Sequence, residues 1–265
     1  YFKCKSLYNH LQKFSNTYSK KITLESVDAN FMDEFVNYLK EIGLSDHSIE
    51  GYIKVLKWFM NWCQKQDLII NSAYESYTFR PVKEVSKGNN EKRILLDQQE
   101  LICLLHTEIN NRKLDRVRDI FCFMSFSGCR FHEVMQLSKS DIQTNIIHIP
   151  GKRKRKIPLN KFLQEIIDKY QNKYYIHNRF FPYFSDLTFK KYLKMLLKEA
   201  GFRRIVQINI RGKIIHKELF DAVTISSARE SFIVNALKAG AFPDAIAEWT
   251  GSNTNNELLK YINKT

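Results

Sequence analysis

Apolar residues recur through the first third of the chain at the three- and four-residue intervals of amphipathic helices. Phe31, Phe35, Tyr38, Leu39 and Ile42 fall on one face, and Gly43 follows as a natural stop. Ser45 is placed to cap the next helix, whose stripe is Ile49, Tyr52, Ile53, Leu56, Phe59, Met60 and Cys63, with Lys54 and Lys57 off it. An earlier helix over about 2–18 carries Leu7, Leu11 and Phe14 on one side. Together these predict an all-α bundle over roughly 1–78, with Trp58 and Trp62 assigned to its core.

The periodicity stops at residues 80–93, a polar, basic stretch with Pro81 and Gly88 that reads as a linker. It resumes with Leu96 and the helix start Asp97 to Glu100, leading into Leu101, Leu104 and Leu105. A second apolar helix covers about 115–126, then come a break at Ser127-Gly128 and a short helix near 131–137. The pattern next changes to strands. Residues 146–150 and 157–159 predict a β-hairpin whose tip, 151–156, is very basic, and 204–210 with 213–217 predict a second strand pair turning at Arg211-Gly212. Helices are expected at about 160–171, 186–200, 227–239, 243–250 and 255–262. The fold class is therefore mainly α with small β-hairpins. The domains are set at 1–79 for the helical bundle, 80–95 for the basic linker and 96–265 for the second domain.

Composition adds the partner. A chain of 265 residues fits two modest domains, and 44% hydrophobic residues suffice for real cores. No window approaches an uninterrupted membrane span, and the start shows no signal-peptide pattern, although the chain opens at Tyr1, as a fragment would. Lys and Arg number 42 against 28 Asp and Glu, a net charge of +14, so a polyanion is the expected partner: nucleic acid, a ribosome or an acidic membrane. The five cysteines (4, 63, 103, 122 and 129) are odd in number and lack metal-ligand spacing, and they read as reduced core thiols of a cytoplasmic protein.

Four segments then appear in a telling order. The first runs from Phe126 through Ser127-Gly128 to Arg130, with Glu133 three residues on. The second is the hairpin segment from Pro150 to Leu159, with Lys152 and Lys154 in its tip. The third is Ser226 to Arg229, and the fourth is Trp249 to Ser252 with Tyr261 nine residues after Ser252. This set resembles the boxes of the tyrosine recombinase (phage integrase) family, and the N-terminal bundle looks like that family's helical, SAM-like core-binding domain. Ser226 and Ser252 stand where the family usually has His, or His or Trp.

The resemblance implies a site-specific DNA recombinase or integrase acting on double-stranded DNA, free of cofactor and metal, and used to integrate or excise a phage or transposon. It implies a homotetramer on DNA, with a monomer compatible with the free protein, and a catalytic set of Arg130, Lys152, Ser226, Arg229, Ser252 and Tyr261. Tyr261 is the nucleophile, and Lys152 is the general acid, with Lys154 as the alternative. Glu133 orients Arg130 or caps its helix. His216 is a minor candidate for the missing histidine, and His132 and His148 read as incidental.

Elementary chemistry agrees with this assignment. A phosphodiester under attack gathers negative charge, and pre-placed cationic donors stabilise it. Arginine can offer a forked, bidentate pair of hydrogen bonds, which lysine cannot. A phenol with an ordinary pKa near 10 is a weak nucleophile outside such a pocket. A phosphotyrosine linkage conserves the broken bond's energy, so rejoining needs no ATP. Arg229 stands at an expected helix start, against the preference of the dipole, which calls for a functional reason. Each serine in a histidine's place lowers the rate by roughly 10²-fold, by analogy with losing one oxyanion donor. The rival readings are a DNA-binding homologue that no longer reacts, an unrelated basic helical module, and a type IB topoisomerase.

Overall fold

The computed structural model describes residues 2–18, 21–68, 72–80, 94–150, 154–210, 213–252 and 261. Lys152, most of the 80–95 linker, the 211–212 turn and all of the expected 255–262 helix except Tyr261 lie outside the described residues. The chain divides into two units, Tyr1–Asn89 and Asn90–Thr265.

The first unit holds α1 (Phe2–Tyr18), α2 (Ala29–Glu41) and α3 (Asp46–Lys65). Local chemistry sets where these helices begin. Asp28 accepts from the Phe31 amide at 2.8 Å, and Ser45 accepts from the Ser48 amide at 3.4 Å, each satisfying an N–H that has no partner inside the helix. The core is aromatic: the Phe14 ring packs against Phe31, Phe35 and Tyr38 with centroids 5.6, 5.4 and 5.5 Å away.

Three aromatic assignments need correction. Trp58, Phe59 and Trp62 are 63%, 41% and 47% exposed. The buried stripe of α3 is Ile49, Ile53, Leu56, Met60 and Cys63. Trp58 and Trp62 each follow a buried residue by two positions, which turns them about 200° round the helix. Phe59 sits on the flank and stacks on Trp62 at 6.3 Å. Cys4 and Cys103 are also exposed, so only Cys63, Cys122 and Cys129 are core thiols.

The second unit contains α4 (Gln98–His106), α5 (Arg112–Ser127), α6 (Phe131–Gln136), β1 (Ile142–Gln143), β2 (Ile146–Ile149), β3 (Arg155–Pro158), α7 (Lys161–Tyr170) and α8 (Asp186–Glu199). It continues with β4 (Ile205–Ile210), β5 (Lys213–Glu218), α9 (Leu219–Ala222), α10 (Ile225–Lys238) and α11 (Pro243–Thr250). Every residue of α5 from Val117 to Ser127 is buried, as befits a central helix packed on all sides, here by α4, α7, α8 and α10.

Burying α5 all round takes charged residues inside, and they are neutralised there. Arg118 donates to Asp119 at 2.7 Å and to Asp115 at 2.6 Å, and its third contact is the Thr107 carbonyl at 2.6 Å. From α7, Lys169 pairs with Asp119 at 2.7 Å and Tyr170 donates to Asp119 at 2.9 Å.

The predicted hairpin is the major part of a three-stranded antiparallel sheet, ordered β1-β2-β3, in which β1 is an addition to the expected elements. Its register pairs Ile147 with Ile157 and Ile149 with Arg155. Residues of β3 alternate between buried and exposed, so Arg155 and Ile157 face inward while Lys156 and Pro158 face out. β4 and β5 form the second, two-stranded sheet. No described helix is long and apolar enough to cross a membrane.

Candidate active site

The site begins where α5 ends. Gly128 adopts a left-handed backbone (φ 71°) and donates to the Met124 carbonyl at 2.9 Å, closing the helix. A Cβ there would lie 2.6 Å from the Phe232 ring, so glycine is required both by the turn and by the approach of α10. The chain then passes the buried Cys129, whose thiol is pushed up to about 11 by burial, and reaches Arg130 at the N-cap of α6.

Glu133 accepts from the Arg130 backbone N–H at 2.6 Å and from its guanidinium at 3.2 Å. The three-residue spacing of Arg130 and Glu133 is thus the spacing of a helix cap. The stronger partner of Glu133 comes from the hairpin. Arg155 grips both carboxylate oxygens, Nη1 at 2.7 Å and Nη2 at 2.6 Å, while its Nε donates to the Trp249 carbonyl at 2.7 Å. Burial alone would raise the Glu133 pKa. The hydrogen bonds from Arg155 and the Arg130 amide, with both positive charges, outweigh burial and hold it at about 2.

The third box lies on α10. This helix starts at Ile225, two residues earlier than expected, so Arg229 is its fifth residue and stands beyond the first turn. The helix dipole therefore does not bear on Arg229, which has no carboxylate hydrogen-bonded to it among the described residues. Its Nη1 donates to the Gly128 carbonyl at 2.8 Å and its Nη2 to Ser252 Oγ at 3.1 Å. Burial, followed by the charges of Arg130 and Arg155, lowers its pKa to about 10. It remains a cation at neutral pH, at an energetic cost that a bound anion would relieve.

Ser226 lies one turn before Arg229, is exposed, and shares a hydrogen bond with Thr224 at 2.8 Å. Ser252 follows Gly251, the left-handed residue (φ 63°) that ends α11. Its hydroxyl also meets Thr250 Oγ1 at 3.1 Å, and Thr250 in turn donates to the Ile246 carbonyl at 2.6 Å. Tyr261 is helical and half-buried, packed on the small apolar cluster of Ile233 and Ile246 together with Phe232 and Trp249. His216 is engaged elsewhere, with Gln207 across the second hairpin at 3.2 Å. His148 meets Gln143 at 3.1 Å.

The fold thus brings Arg130, Arg229 and Ser252 into one cluster and sets Ser226 on the same helix as Arg229. A cleft of about 610 Å³ adjoins them, lined by Lys154, Arg155, Lys156, Ala247, Glu248, Gly251 and Ser252. Reading the sequence alone missed Arg155, which merged into the basic run of the hairpin tip. The signal was present nonetheless: Arg155 precedes the core residue Ile157 by two, the strand interval that puts both on one face.

Residues 1–80 match the family described as the phage integrase SAM-like domain. No curated protein matches by sequence. Among solved structures, the chain is similar to the Tn1549 transposon integrase in complex with transposon right-end DNA, at TM-score 0.67 and 16% identity over 96% of this chain and 86% of that one. It is similar to the XerH site-specific recombinase bound to a palindromic difH substrate, at TM-score 0.65 and 20% identity over 96% and 74%. A lambda integrase dimer bound to a COC′ core site matches at TM-score 0.65 and 14% identity over 97% and 88%. Residues 1–80 therefore resemble a phage integrase SAM-like domain, and the chain as a whole has the fold of these two integrases and of the XerH recombinase.

Proposed function

We propose that this chain is a site-specific DNA recombinase of the tyrosine class, cutting and rejoining duplex DNA for a mobile element. The observation that carries the reading is the composition of the cluster: among the described residues, three guanidinium groups, Arg130, Arg155 and Arg229, stand with one carboxylate, Glu133. Arg155 holds that carboxylate bidentately, and the partly exposed Arg130 and Arg229 offer donors for an anion. A phosphodiester fits this demand, and its two non-bridging oxygens match forked donors.

In the reaction, the Tyr261 oxygen forms a bond to phosphorus and the bond from phosphorus to O5′ breaks. The phenolic proton passes to solvent, and a lysine of the hairpin, Lys152 or Lys154, delivers a proton to O5′. A 3′-phosphotyrosine results, and attack by the 5′-hydroxyl of a partner strand reverses the step. Ser226 and Ser252 each supply one uncharged hydrogen bond where a histidine is usual. Residues 1–79 and 96–265 act as the DNA-binding and catalytic domains, joined by the 80–95 linker, and a tetramer assembles on two DNA sites. The Tn1549, XerH and lambda proteins were solved with DNA, which supports duplex DNA as the partner here.

The test is a suicide-substrate assay using nicked duplexes that cover the ends of the element encoding the chain. A covalent protein–DNA adduct on a denaturing gel, absent from Tyr261→Phe, is the expected result. The two serines favour one second reading, a DNA-binding homologue that does not react. It predicts tight, salt-sensitive duplex binding with no adduct.

A further inference from the structure

We propose that Arg155 is a positioning residue that fixes the lysine-bearing hairpin against the rest of the active site; the proposal rests on the recombinase reading above. Arg155 opens β3 and directly follows Lys154, with Lys152 two residues earlier. Its side chain is only 5% exposed, which is unusual for a cation in a run of Lys and Arg, and its guanidinium hydrogen-bonds to other parts of the site. Two go to Glu133, the carboxylate that caps α6 behind Arg130. One goes to the carbonyl of Trp249, in the last turn of α11, just before Gly251 and Ser252. Trp249 in turn belongs to the apolar cluster on which Tyr261 packs. One guanidinium therefore ties the hairpin to the Arg130 helix and to the end of α11.

Gly251 is shaped around this contact. A Cβ on it would stand 3.3 Å from Arg155 Nη1, so the left-handed glycine leaves room for the guanidinium as well as ending the helix.

The geometry also says which catalytic group depends on Arg155. Arg130 has an anchor that does not pass through Arg155, because its backbone carbonyl accepts from the Glu133 and Val134 amides as α6 begins. Arg229 has its own bond to the Gly128 carbonyl. The hairpin has less: β3 is four residues long, and Arg155 is the residue at which it leaves the sheet. A lysine side chain is long and flexible, so its placement relies on the backbone from which it springs. Loss of Arg155 should thus misplace the proton donor while leaving the phosphate-binding arginines in position.

The distinguishing experiment compares two nicked duplexes from the ends of the element, one with the natural O5′ at the scissile phosphate and one with sulfur in its place. With oxygen, the leaving alkoxide must receive a proton from the lysine as its bond to phosphorus breaks. With sulfur, the thiolate departs unprotonated, and no donor is needed. Wild type should form adduct on both. Arg155→Met should lose ~10²-fold in single-turnover rate on the oxygen duplex, the scale of a general-acid contribution, and come within ~5-fold of wild type on the sulfur duplex. Equal loss on both duplexes overturns the role assigned to Arg155, because the defect then lies in binding the phosphate. No adduct from wild type on either duplex overturns the recombinase reading, and the role of Arg155 with it. If Arg155→Met does not fold, Arg155→Lys, which keeps the buried charge, decides the question in the same two assays.

Discussion

Two ionic clusters lie at opposite ends of α5, and they are built to opposite rules. Near its start, Arg118 and Lys169 meet Asp115 and Asp119, with the Tyr170 hydroxyl as an extra donor. Cations and carboxylates balance there. Burial alone would lower the Arg118 pKa, but Asp119 and Asp115 more than offset it and raise the value. Past the far end of α5, Arg130, Arg155 and Arg229 stand with Glu133 as their one carboxylate among the described residues, and the Arg229 pKa is driven down to about 10. Both clusters are held by short hydrogen bonds, so geometry does not separate them. Charge balance does: among the described residues the first is neutral within the protein, and the second has two more cations than carboxylates. A partly buried excess of one sign is the kind of environment that suits an anionic ligand.

Four substitutions test whether the two clusters differ in this way. The largest effect should come from Asp119→Ala, which takes one of the two carboxylates from the buried Arg118 and the acceptor from the buried Tyr170 hydroxyl. The expected loss is about 3–5 kcal/mol of unfolding free energy, read by urea denaturation. Arg229→Met should do the reverse. Adduct formation should fall about 10²–10³-fold, as for loss of a donor to a developing oxyanion, while the melting temperature stays level or rises because a disfavoured cation has gone.

Glu133→Gln comes third. The carboxylate of Glu133 falls from 4.5 to about 2 on folding, so its ionisation stabilises the native state fully above pH 4.5 and progressively less as the pH drops through about 2. The difference between wild type and Glu133→Gln should be on the order of 3 kcal/mol at pH 7 and should shrink as pH 2 is approached, measured by denaturation at both ends of that window. Lys169→Met should have the smallest effect, about 1 kcal/mol, because its side chain is 35% exposed and Arg118 still faces both carboxylates.

Where local chemistry governs, the sequence was legible. Helix starts at Asp28, Ser45 and Asp97 follow from side chains that cap the nearest free amides, and the period of the apolar residues places α1 to α3 and α5. The order of Arg130, Arg229, Ser252 and Tyr261 was also visible, because their spacing is carried by short turns and helices. Errors arose where a face had to be chosen. Trp58 and Trp62 are apolar and helical, but the heptad-like stripe through Leu56 and Met60 turns them outward.

Most of the elements and their caps could be read from the chain alone, since each depends on residues near one another in it. Which of the described cations of the hairpin turns inward depends on the folded unit. Arg155 stands in a run of similar residues, and nothing local marks it apart from Lys154 or Lys156 except its two-residue offset from Ile157. Strand register, together with Glu133 22 residues away and Trp249 94 residues away, turns it inward. Contacts that distant depend on how the whole unit packs, and only the folded chain brings them together.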